Sequence, residues 1–298
     1  MKSSESKRRR TLLAYAFLLP TLLVLGLFHF FPMLQAFGVS LMTYTPGSPR
    51  NEFVGLANYT RLVHDPAFWA ALKNSVLYLL CVPVVIGLSL ALAILVEPQI
   101  PFISFFRACY YVPVVTMMVV VAYAWSLIFN TDYGAINQGL IKFGLIEQGI
   151  PWMTSPKMAL WSVMSVTVWK GLGYYMVMFL VALKAVPKEL VEAARIDGAR
   201  RWQVFRNVTL PAVWPIITLT AVISAISAVK VFEEIYMMTR GKADTSTLVF
   251  EIYITGIDME QGSGLEMGYA SAMGVVLFVL VLVLSIFSIR SMDRMYTS

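Results

Sequence analysis

The apolar residues of this chain run in blocks. Six blocks are nearly free of charge, over about 12–32, 73–96, 106–128, 158–184, 212–232 and 268–290. A helix rises 1.5 Å per residue, so roughly 20 apolar residues cover the ~30 Å hydrocarbon core of a bilayer. Each block therefore predicts a membrane-spanning helix. The second, with Val76-Leu77-Tyr78-Leu79-Leu80 running on to Ala93-Ile94-Leu95, and the sixth, from Ala270 to Ile289, are almost purely apolar. The third and fourth are tempered by polar residues. Between the blocks, residues 45–72 and 129–157 carry clustered Gly and Pro with interleaved apolar residues. That is turn chemistry, suited to a docking surface, an interfacial cap or plain connectors. The expected architecture is one all-α integral membrane domain over 1–298, with six transmembrane helices.

Composition agrees. The chain has 298 residues, of which 58% are hydrophobic and 13% charged, against about 25% charged in soluble domains. A net charge of +6 would suggest nucleic acid in a soluble protein, but here the cations divide by side. One set of loops holds Lys2, Lys7, Arg8, Arg9, Arg10, Arg107, Lys184, Lys188, Arg195, Arg200, Arg201, Arg206, Arg290 and Arg294. The other holds Arg50, Arg61, Lys73, Lys142, Lys157, Arg240 and Lys242. This two-to-one bias places both termini and the 184–210 loop in the cytoplasm. No nucleic-acid partner is expected. The first block follows a basic run and Pro32-Met33-Leu34-Gln35 offers no small-residue cleavage site, so it reads as a retained first helix. Cys81 and Cys109 lie inside apolar blocks and read as packing residues, not a disulfide.

The loop over 185–211 is the most informative segment. Pro187 suits a first helical position, where its missing N–H costs nothing. Glu189 and Glu192 complement the positive end of a helix. Leu190, Val191, Ala194 and Gly198 recur at spacings of three and four, making a small, weakly apolar face. Gly198 stops that helix. A second is predicted from about Arg200 to Val208, broken by Leu210-Pro211 before the fifth block. Two uses fit: a helix seated in a groove of another protein, or an amphipathic helix lying on the membrane surface.

This segment resembles the "EAA" loop of ABC-importer permeases: Glu-Ala-Ala, three residues, Gly, nine residues, Ile, one residue, Leu-Pro. Glu192-Ala193-Ala194, Gly198, Leu210 and Pro211 match at every spacing, with Val208 in place of Ile. The resemblance implies an ABC type I importer permease fold. It also implies that Glu192, Ala193, Ala194, Asp197, Gly198, Leu210 and Pro211 form a coupling helix and its exit, inserted into an ATPase cleft. Phe53-Val54-Gly55-Leu56-Ala57-Asn58-Tyr59, Trp169-Lys170-Gly171-Leu172-Gly173 and the run from Lys230 to Thr239 resemble the maltose-type branch. That branch imports oligosaccharides, simple sugars and glycerol 3-phosphate. The Gly-Gly-Gly-Pro that often follows such a Thr is reduced here to Arg240-Gly241-Lys242. The partners implied are a second homologous permease, two ATPase subunits carrying ATP and Mg²⁺, an external or periplasmic solute-binding protein, a sugar and the lipid bilayer. The localisation implied is the bacterial cytoplasmic (inner) membrane.

What the chain lacks fits a non-enzymatic subunit. It has no Gly-x-x-x-x-Gly-Lys-Ser/Thr nucleotide loop, no nucleophile elbow and no metal-spaced partners for His29 or His64. No cofactor or metal is expected on the chain itself. The substrate path is expected among intramembrane polar residues, since a charge at the bilayer centre costs about 2.5–3.5 kcal/mol. Thr167, Lys170, Gly171 and Tyr174 share one face of the fourth block. Ser224, Ser227, Lys230, Glu233 and Glu234 share one of the fifth. Lys230 and Glu234, four apart, are also spaced to pair with each other. By resemblance, positions matching sugar contacts are Thr167, Lys170, Gly171, Tyr174, Ser227, Ala228 and Val231, with Val114 and Met118 on the third block. The expected substrate is a sugar or oligosaccharide. Glycerol 3-phosphate is the alternative, because Lys170 and Lys230 would attract its phosphate. An ion-coupled carrier would need a mid-membrane acidic relay and inverted repeats, and a membrane scaffold would need no polar faces; neither matches.

Overall fold

The computed structural model describes residues 2–49, 51–97, 101–258 and 265–296, with side chains described between 13 and 286. Arg50 and the side chains of the N-terminal basic run, Arg290 and Arg294, all used in the charge bias, lie outside the described residues.

Among the described residues, five helical stretches are long and apolar enough to cross a membrane: Leu13–Val39, Pro66–Val96, Ala159–Lys184, Arg201–Val229 and Met267–Ile286. A sixth is broken. Helix α6 (Ile103–Val115) and α7 (Met118–Ile128) meet at 100°. The sequence predicts one straight span there. Pro113 lies inside α6, which continues past it and ends at Val115. Thr116 and Met117 then turn extended, at ψ 135° and 136°.

The chain divides into two compact units: Met1–Asp65 with Ile252–Val276, and Pro66–Glu251 with the chain from Leu277 onward. In the first, α1 (Lys2–Leu25) passes through a π-turn at Gly26–Phe30 into α2 (Phe31–Val39). A two-residue antiparallel ladder follows, β1 (Met42–Thr43) with β2 (Glu52–Phe53), a small departure from the all-α expectation. Helix α3 (Ala57–His64) completes the connection. Asn58 is buried and its amide donates to the carbonyls of Ser40 (2.9 Å) and Met42 (3.0 Å), pinning α3 to the ladder.

The second unit contains α4 (Pro66–Leu77), joined by a 3₁₀ turn to α5 (Cys81–Val96), then α6 and α7. Next come α8 (Ala135–Lys142), α9 (Ala159–Lys184), α10 (Lys188–Ile196) and α11 (Arg201–Val204). A π-turn at Phe205–Thr209 leads into α12 (Leu210–Val229), followed by α13 (Glu233–Met238). Two helices remain in chain order, α14 (Leu248–Gly256) and α15 (Met267–Tyr296). The core of the second unit joins α5 and α9 through Val85, Ala93, Val96, Tyr175, Met176, Phe179 and Leu180.

Gly173 sets how closely α6 approaches α9. A Cβ there would lie far inside van der Waals contact with the Tyr110 carbonyl oxygen. Backbone cannot rotate away as a side chain can, so the two helices would have to separate. Gly173→Ala is expected to lower the melting temperature of the detergent-purified chain by several degrees, a cost of about 1–3 kcal/mol. An unchanged thermal transition would show that α6 yields freely.

The 129–157 connection is a built element. Asn137 is fully buried and donates to the carbonyls of Thr131 (3.1 Å) and Ile150 (2.9 Å). Its carbonyl oxygen accepts from the Ile150 amide (3.2 Å) and the Trp152 indole (2.9 Å). One side chain thus closes the loop on itself, satisfying backbone groups that burial would otherwise leave unpaired.

Candidate functional site: a polar cavity and a helical loop

A cavity of about 700 Å³ opens in the second unit between α5, α6, α9, α12 and α13. Thr167, Lys170, Gly171, Tyr174, Ser227, Lys230 and Val231, the predicted path residues, all line it. So do Ala228 and Val114. Met118 does not; it is buried at the start of α7, after the break at Thr116–Met117 has turned the chain.

The break after α12 shapes this site. The helix ends at Val229, and Lys230–Phe232 are not helical before α13 begins at Glu233. The four-residue spacing that would pair Lys230 with Glu234 presupposes a continuous helix. Here it lapses, and Lys230 and Glu234 form no ion pair among the described residues. Glu234 instead faces α9, where the Thr167 hydroxyl donates to its Oε1 at 3.5 Å. Thr167 also shares a 3.0 Å hydrogen bond with the hydroxyl of Tyr78, which is fully buried. Lys170, Lys230, Glu233 and Glu234 thus line one cavity as two cations and two acids.

Tyr78, Cys81 and Val85 were not legible as site residues. They belong to an almost uniformly apolar block, and only the Thr167 partner reveals the Tyr78 role. Tyr174 turns its ring into the cavity, 41% exposed, and meets Tyr175 edge to face at 5.1 Å between centroids. At Gly171 a Cβ would lie 3.2 Å from the Val85 side chain, so the glycine lets α5 approach α9 closely.

The loop residues are brought together around α10. Gly198 takes φ +83°, the left-handed conformation of a glycine that ends a helix. The Ala199 amide donates to the Ala194 carbonyl at 3.0 Å, closing the turn. Glu192, Ala193, Asp197 and Gly198 are exposed. The face predicted from Leu190, Val191, Ala194 and Gly198 divides. Val191 and Ala194 are half-buried, whereas Leu190 and Ile196 are 53% and 86% exposed. Leu210 and Pro211 begin α12 without the predicted break, because the π-turn at Phe205–Thr209 absorbs the proline. Widening the turn spares the carbonyl four residues back from the Pro211 ring. The same device precedes Pro32, where the π-turn Gly26–Phe30 leads into α2.

Residues 71–295 match the family model of the binding-protein-dependent transport system inner membrane component. The chain belongs to that family. It is 31% identical to the lactose transport system permease protein LacF of Rhizobium radiobacter, covering 95% of this chain and 94% of the relative. It is 32% identical to the arabinooligosaccharides transport system permease protein AraP of Bacillus subtilis, covering 93% and 87%. Among solved structures, a bacterial ABC transporter involved in the import of the acidic polysaccharide alginate superposes with a TM-score of 0.82. It shares 24% identity and covers 98% of this chain and 99% of that one. The fold is that of an ABC type I importer permease. The chain is thus an integral membrane component of an ABC importer and not an enzyme; ATP hydrolysis belongs to a separate subunit.

Proposed function

We propose that this chain is the permease subunit through which an ATP-driven importer passes a neutral sugar or oligosaccharide, and that the cavity between α9 and α12 is the path. The observation that carries this is the charge balance of the cavity. Lys170 and Lys230 alone would favour an anionic phosphate, but Glu233 and Glu234 line the same space. A dianion entering there meets two carboxylates as well as two ammonium groups. A sugar hydroxyl can donate to a carboxylate and accept from an ammonium, so a polyhydroxylated neutral solute uses both. The volume falls within the roughly 300–1,000 Å³ range of ligand sites. Sugar-transport relatives support the same reading.

Coupling, in this proposal, runs through α10. Leu190 and Ile196 present apolar side chains outward beside Ala193, Asp197 and Gly198, with Glu192 on the opposite, cleft-lining side, and Trp202 is 66% exposed just beyond. Such a face seats in a groove of an ATPase subunit. A second homologous permease, two ATPase subunits with ATP and Mg²⁺, and an external solute-binding protein complete the importer. The Lys and Arg bias puts both termini and α10 in the cytoplasm and the Asn137-centred cap outside.

The test is ATP-dependent uptake by the reconstituted importer, with unlabelled competitors. Neutral di- and oligosaccharides are expected to compete and glycerol 3-phosphate is not. Competition by glycerol 3-phosphate alone would overturn the neutral-sugar reading, and uptake without ATP would overturn the importer mechanism. In the same assay Tyr174→Ala is expected to raise the concentration for half-maximal uptake about five- to tenfold, the loss of one ring against a sugar face.

A further inference from the structure

A second cavity, of about 780 Å³, lies behind α10, between it and the ends of α5, α9 and the π-turn before α12. Four cations line it: Lys184, Lys188, Arg195 and Arg201. Glu97 and Glu192 are the acids of the same wall, leaving a net excess of two positive charges. None of the six forms an ion pair among the described residues. Part of the wall is apolar, with Ile94, Val204 and Phe205. The cavity sits at the ends of two apolar helices. The apolar stretches of α5 and α9 end at Val96 and Lys184, and residues at both ends, Ile94, Glu97, Leu183 and Lys184, line the cavity.

We propose that this cleft binds an anionic phospholipid, its phosphate among Lys184, Lys188, Arg195 and Arg201 and its acyl chains against Ile94 and Phe205. A soluble anion would use the charges and leave the apolar wall unfilled, whereas an amphiphile uses both. The arrangement also divides α10 into two faces. Lys188, Val191, Glu192 and Arg195 recur at helical spacing and line the cleft, while Leu190 and Ile196 point away from it. The lipid fills the space behind the helix and leaves the outward face clear.

The test uses the full-length chain, delipidated in neutral detergent and titrated with phosphatidylglycerol or phosphatidylcholine, with bound lipid counted by native mass spectrometry. One phosphatidylglycerol is expected to remain bound where phosphatidylcholine does not. Lys188→Gln with Arg201→Gln is expected to weaken retention roughly thirtyfold, the loss of two basic contacts at an anionic headgroup. Arg200→Gln with Arg206→Gln, an equal charge loss in the same loop but outside the cleft, is expected to leave it unchanged. Lys188→Arg with Arg201→Lys is expected to retain the lipid, which separates lost charge from lost folding. Equal loss in the cleft and control pairs would overturn the proposal in favour of diffuse attraction. Displacement of the lipid by millimolar inorganic phosphate would overturn the lipid as the occupant. The measurement requires no transport, so its failure leaves the sugar-import reading untouched.

Discussion

Replacing Gly198 with glutamate is expected to lower ATP-driven uptake by about a hundredfold or more while leaving the chain inserted and folded. Two costs act, and they can be separated. The first is conformational. At φ +83° an L side chain is strained by roughly 1–2 kcal/mol. The second lies at the partner surface. A Cβ at Gly198 meets nothing within 4 Å in this chain, so the added glutamate does not clash internally. It projects instead from the exposed end of α10, where the proposed ATPase groove would have to accept an unpaired charge at a cost of about 2–5 kcal/mol. Gly198→Asn distinguishes the two, because asparagine tolerates the left-handed region. It is expected to retain most of the uptake, Gly198→Ala to lose a moderate share through strain alone, and Gly198→Glu to lose nearly all together with ATPase co-purification. Normal uptake by Gly198→Glu would sink the coupling role of this turn.

The legible parts of the fold are those with a one-dimensional signature. Apolar runs announce the spanning helices because the bilayer demands length and apolarity of each segment separately. The Gly198 turn was legible because a glycine after the last helical residue has a local cause. The breaks were harder. Pro113 and Pro211 look alike in sequence, each within or beside an apolar block. The first lies inside a helix that ends two residues later at a 100° bend, and the second is absorbed in a π-turn without interrupting its span. Neighbours decide between these outcomes, and a hydropathy profile does not contain neighbours. The cavity was half legible for the same reason. Helical spacing groups Thr167, Lys170, Gly171 and Tyr174 on one face. It also suggests an intrahelical pair of Lys230 and Glu234 that the break at Val229 prevents. Tyr78, whose hydroxyl reaches Thr167 from another helix, carries no local signal at all.

That break also makes the charge balance testable. Because Glu234 is turned toward Thr167 and not tied to Lys230, its carboxylate and that of Glu233 remain available to the cavity. Replacing both by glutamine preserves shape and hydrogen bonding but leaves Lys170 and Lys230 without opposing charge. The expected result is a change of selectivity. Glycerol 3-phosphate, inert against the wild type, is expected to become a competitor of uptake with at least a tenfold gain in apparent affinity. Unit charges about 4 Å apart interact by roughly 4 kcal/mol at an effective dielectric of 20, so even a partial contribution suffices. Neutral-sugar uptake is expected to fall several-fold, since each glutamine accepts hydrogen bonds less strongly than the carboxylate it replaces. Raised salt should blunt the gain for the phosphate and leave the neutral sugar unaffected, because only the former depends on net charge. If the double variant still ignored glycerol 3-phosphate while transporting sugar normally, the four charged residues would be structural and the selectivity would lie outside this cavity.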